Sequence, residues 1–125
     1  MIVNIPTTKD RLFKQYLTIL NSVLTKNQKL TILEIEVMSK FLFIKDLYNR
    51  LGSELSNKIC FHKETKKRII ISIKEESNIQ ISINSLNNII LSLRKKGFLK
   101  ERRVEHIPVF TKEGNIELVF NLNLV

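Results

Sequence analysis

The 125-residue chain contains no alanine and a single cysteine. One cysteine excludes an internal disulfide, so the fold must hold by its core alone and nothing suggests a disulfide-stapled secreted scaffold. No apolar run approaches the roughly eighteen residues that a membrane-spanning helix needs. The opening MIVNIPTTKD has no basic stretch followed by an apolar one, so it is not expected to act as a signal peptide. Glycine-rich phosphate loops, the G-x-S-x-G elbow and the HExxH helix are all missing. Cys60 and His62 form an isolated C-x-H, and with His106 the only other histidine a zinc site would also need carboxylates. The expectation is a soluble, cytoplasmic protein with no catalytic residues, no metal site, no cofactor and no evident small-molecule substrate.

The missing alanine has a counterpart in excess. The chain carries 18 Ile, 12 Asn and 15 Lys. Alanine requires GC-rich codons and those three residues use AT-rich ones, which implies an AT-rich genome such as that of a low-GC bacterium or one of its phages. At this length one domain is expected, able to bury about two-thirds of its unfolded surface.

What the chain has in quantity is positive charge. The net charge is +9, which makes a polyanion the first partner to consider. The excess is concentrated: residues 61–103 hold eleven Lys/Arg against four Glu, whereas residues 104–125 hold one against three.

Four helices and a terminal hairpin are expected from the patterning. Leu12, Phe13, Tyr16, Leu17, Leu20, Val23 and Leu24 recur at helical spacing and predict a first helix over about 8–25, with Thr7 or Thr8 as N-cap. In LTILEI, Thr31 and Glu34 stand three apart as a capping box, opening a second, centrally buried helix that runs to Gly52. SELSNKICFH lacks a period and reads as a loop with a short strand at 58–61. KETKKRIIISIKEE predicts a third helix over 63–76, although its isoleucine run also suits a strand. Ser82 caps a fourth helix carrying Leu86, Ile89, Ile90 and Leu93 on one stripe and ending at Gly97. FLKERRVEHIPVF, the turn TKEGN and the alternating IELVFNLNLV then read as a β-hairpin.

The segment KKRIIISIKEESNIQISINSLNNIILSLRKKGFLKERRV resembles the helix-turn-helix and wing of MarR-like and plasmid-replication-initiator proteins, in which I…LRKKGFL closes the recognition helix. LTILEIEVM is similar to the LTxxExxVL opening of the MarR group, and the resemblance covers about residues 30–125. It implies a mostly helical α+β domain, a winged helix-turn-helix with a C-terminal β-hairpin wing. Residues 1–28 would be a helical extension, 29–97 the helical core and 98–125 the wing.

On that architecture the basic residues gather into three clusters. Lys63, Lys66, Lys67 and Arg68 open the helix that crosses the phosphate backbone in such folds. Asn84, Asn87 and Asn88 lie on or near the polar side of the fourth helix, where asparagine can bond N6 and N7 of adenine, with Lys95 and Lys96 at its end. Lys100, Arg102 and Arg103 fall on the first wing strand and Lys112 at the wing tip. Taken one at a time, each cluster also suits an ordinary solvated face.

Two functions are in competition. The first is a DNA-binding regulator or replication accessory. The second is a phage virion subunit that uses the same fold for homo-oligomeric or virion assembly. The apolar ends MIVNIP and NLNLV and the outward Leu91 would suit that second role.

Overall fold

Thr31 starts the central helix in the computed structural model of the chain, which describes residues 2–3, 9–105, 109–110 and 116–117. The capping box forms in full: the Thr31 hydroxyl accepts from the Glu34 N–H at 3.2 Å, and the Glu34 carboxylate accepts from the Thr31 N–H at 2.9 Å. Such a cap is worth roughly 1 kcal/mol. The helix it opens, α2 (Ile32–Leu47), buries Val37, Met38, Phe41 and Leu42 and touches every other helix of the core. Helix α1 (Lys9–Val23) packs on it through Leu12, Phe13 and Leu17, as the spacing predicts. Asn21 closes the loop between the two, its side-chain amide bonding both the N–H and the C=O of Leu30. The expected N-caps Thr7 and Thr8 lie outside the described residues.

Three differences from the patterning have physical causes. The central helix stops at Leu47, not Gly52: the chain tightens into a 3-10 turn over Asn49–Leu51, and Gly52 takes φ +90 before the next element. The segment read as a loop with a strand is a helix, α3 (Ser53–Cys60). Its buried positions are Ser56, Asn57 and Cys60, so its inward stripe is polar and small and shows no hydrophobic period. A polar network satisfies that stripe. Buried Lys45 donates to the Ser53 carbonyl at 3.0 Å, the Ser53 hydroxyl at 3.1 Å and the Ser56 hydroxyl at 2.7 Å. Burial lowers the Lys45 pKa, an effect the neighbouring Cys60 opposes, and burial pushes the Cys60 thiol up to about 11.

The isoleucine run is helical, in α4 (Lys63–Ser77). The His62 Nδ1 accepts from the Glu64 N–H at 3.2 Å at its start, and Asn78 in the left-handed region at φ 55 ends it. Ile69 and Ile73 face the core. After the turn at 78–82, the Ser82 hydroxyl accepts from the Ser85 N–H and caps α5 (Ile83–Lys95), whose Leu86, Ile90 and Leu93 are buried. Its C-terminus closes as a Schellman motif: Phe98 N–H bonds the Leu93 carbonyl and Gly97 N–H the Arg94 carbonyl, with Gly97 at φ +87.

The third difference concerns the strands. The single long strand expected at 98–110 is broken by a tight turn, giving β2 (Leu99–Lys100) antiparallel to β3 (Arg103–Val104). Glu101 occupies the turn at φ 55 without a glycine or asparagine to announce it. Val104 N–H donates to the side-chain Oδ1 of buried Asn57 at 3.1 Å, which pins this hairpin to α3. A second small sheet has the order β1-β5-β4, from β1 (Ile2–Val3), β4 (Val109–Phe110) and β5 (Ile116–Glu117). The chain is thus mostly helical with small antiparallel sheets. Among the described residues, no helix is long and apolar enough to cross a membrane.

Candidate nucleic-acid interface

Successive residues of a helix turn by about 100°, which sorts α5 into a buried stripe, an outward row and two flanks. With Leu86, Ile90 and Leu93 inward, Asn84, Asn88, Leu91 and Lys95 form a single row pointing away from the core, and all four are exposed. Leu91 retains 50% of its surface there. Asn87 lies a quarter-turn off this row, on the flank toward α4.

One flank is locked. Ser92 Oγ donates to a Glu34 carboxylate oxygen at 2.6 Å, and Lys96 Nζ donates to the other at 2.5 Å and to the Lys29 carbonyl at 2.8 Å. The expectation that Lys96 faces a ligand is therefore corrected. Its ammonium turns inward to neutralise a carboxylate that also caps α2. Burial works to raise the Glu34 pKa. Hydrogen bonds from Lys96, Ser92 and the Thr31 N–H, together with the Lys96 charge, outweigh it and hold the carboxyl below its ordinary value.

The other flank is where the basic elements arrive. Lys66 Nζ on α4 donates to Asn87 Oδ1 at 3.3 Å. Seven residues further on, and so on the same flank, Arg94 Nε donates to the Glu101 carbonyl in the β2–β3 turn at 3.0 Å. The start of α4 and the tip of the hairpin thus border the same side of α5, next to the Asn84–Lys95 row. Arg94 also lines a cleft of about 470 Å³ with Gly97, Leu99, Lys100 and Glu105. Arg94, Lys95 and Lys96 follow one another at the end of α5, and only the direction of each side chain puts Arg94 in this corner and Lys96 on the opposite flank.

On α4, Lys63 lies about 60° around the helix from Lys66, on the side toward α5, whereas Lys67 is about 100° from Lys66 on the solvent face, where it pairs with Glu64 at 3.6 Å. Arg68 does not join them. It sits about 160° around the helix from Lys66 and lines a groove shared with α2. In the hairpin, Leu99 is paired with Val104 and both are buried, so Lys100 and Arg103, the other facing pair, are exposed together. Like charges directly opposite across an antiparallel pair are destabilising, so an anion between them would relieve a standing repulsion. Arg102 extends the same patch at the turn and is exposed. Lys112 lies outside the described residues. Among those described, Lys63, Lys66, Arg94, Lys95, Lys100, Arg102 and Arg103 have no carboxylate partner.

Cys60 and His62 are used separately and not as a pair of ligands. The thiol is buried with Sγ 3.8 Å from the Phe41 carbonyl, and the imidazole caps α4. No family model, curated protein or solved structure matches the chain.

Proposed function

We propose that the chain binds double-stranded DNA as a winged helix-turn-helix protein, a regulator or replication accessory of a low-GC bacterium or its phage. In this reading α4 and α5 are the helix-turn-helix and the C-terminal strands are the wing. The outward row of α5 enters the major groove, where Asn84 and Asn88 read adenine and Leu91 packs on a thymine methyl. Lys63, Lys66 and Lys67 from α4, Lys95 and Arg94 from the end of α5, and Lys100, Arg102 and Arg103 from the hairpin hold phosphates. The observation that carries the reading is the shared flank: Lys66 meets α5 at Asn87 and the hairpin meets it at Arg94, one row away from the exposed asparagines.

The test is a binding titration against salt, with AT-rich and random duplexes. About six neutralised phosphates give a log–log slope near −5. Affinity indifferent to salt would contradict the proposal. A second reading, a virion subunit assembling through protein contacts, is favoured by Leu47, Leu51 and Leu55, all exposed along the end of α2 and the start of α3. Stoichiometric recovery with capsid or tail proteins and no salt-sensitive DNA affinity would support it.

A further inference from the structure

We propose that the groove between α2 and α4 is a binding site for an amphipathic monoanion, a medium-chain alkyl carboxylate whose head meets Arg68. The groove holds about 490 Å³, within the range of roughly 300–1,000 Å³ typical of small-molecule sites. Phe43, Ile44, Leu47, Ile59 and Ile69 supply its apolar wall, and Leu47 leaves 56% of its surface in water. Polar groups are few, as specificity in such a site requires. Thr65 and Ser72 line it with hydroxyls from α4, that of Ser72 donating to Glu76 at 3.4 Å, and Tyr48, just past the end of α2, adds another.

The charges select the ligand. Lys40 is buried and already paired with Glu76 at one position along the groove, so those two charges cancel. Arg68 has no carboxylate partner among the described residues and carries the one uncompensated charge of the lining. A guanidinium takes a carboxylate through two parallel hydrogen bonds, and beside an apolar wall that pair is less hydrated than on open surface. Arg68 and Glu76 stand eight residues apart on α4, about 12 Å, so the bound head and the acidic end are well separated. A medium-length chain laid from Arg68 toward Ser72 covers Ile44, Leu47 and Ile69. The site stands independently of the DNA reading, since Arg68 is on the flank of α4 turned away from Lys66.

Calorimetric titration of the full chain with decanoate, decanol and decyltrimethylammonium, each below its micelle concentration, tests this. Decanoate should saturate at one per chain, and the cation should bind at least about tenfold more weakly, the loss expected of one charge-assisted contact. Arg68→Gln should weaken decanoate by about the same factor and leave decanol within about twofold. Ser72→Phe should block all three while thermal unfolding shows the fold intact. Equal affinity for the anion and the cation, no saturable heat, or an Arg68→Gln variant that binds decanoate normally would overturn the assignment. So would a concentration-dependent dimer that Ser72→Phe dissociates, which would give the groove to a second copy.

Discussion

On one flank of α5, Ser92 and Lys96 converge on Glu34; on the other, Asn87 meets Lys66 and Arg94 meets the hairpin turn. Lys95 and Lys96 are neighbours in sequence, yet one lies in the exposed row and the other is tucked against a buried carboxylate. The difference lies in what each contact can lose. Glu34 is almost wholly buried, so a partner removed from it leaves a charge out of water. Lys66 and Arg94 bond neutral, exposed oxygens and can release them to an incoming phosphate at little cost. The locked flank fixes the angle of α5 on α2, and the open flank is the one that the proposed function gives to DNA.

Breaking the locked flank gives the largest effect. Glu34→Ala removes the capping box and leaves the Lys96 ammonium with the Lys29 carbonyl but no counter-charge, and urea unfolding should show a loss of about 3 kcal/mol. A loss below about 1 kcal/mol would mean that the flank does not anchor the helix. The open flank should respond in binding and not in stability. Lys66→Ala with Lys67→Ala should weaken every duplex alike, by roughly tenfold, and flatten the salt slope by nearly two. Asn88→Ala should instead change the ranking of duplexes by about 1–2 kcal/mol at one base pair. Loss of ranking in the lysine variant, or uniform weakening in the asparagine variant, would reverse the assigned roles.

How much of this was legible in the sequence depends on whether the signal was local. Thr31 with Glu34, Ser82, and Gly97 mark helix ends through chemistry confined to a few residues, and the structure uses all three. The helix at 63–77 came through because its polar flanks continue the isoleucine run past a strand's length. Helix α3 escaped notice because Ser56, Asn57 and Cys60 face inward, satisfied by Lys45 from a distant segment. Lys96 and Arg68 were misplaced for a related reason: a count of cations carries no direction, and only packing tells which lysine meets Glu34 and which arginine turns into the groove. The turn at Glu101 is invisible to turn-residue rules because tertiary anchoring at Asn57 and Arg94 holds a non-glycine residue at positive φ.

The smallest effect is the pH response of the locked flank. Folding lowers the Glu34 pKa below its ordinary 4.5, so its contribution is complete above the unfolded value and is lost as pH falls through the folded one. Stability of the native chain should therefore drop across that acid window, and Glu34→Gln should flatten this part of the curve in a urea–pH series. An unchanged acid limb would show that other carboxylates carry it.

The central claim is spatial, that α4, the outer row of α5 and the hairpin turn present one surface to DNA. Amide chemical-shift mapping during titration with a short AT-rich duplex reads that surface residue by residue. Shifts should gather at 63–67, at 84–95 on the outward row and at 100–103, and should spare α1 and the Leu47–Leu55 edge. Shifts that fall on Leu47–Leu55 or α1 and leave Asn84, Asn88 and Lys95 unmoved would contradict it.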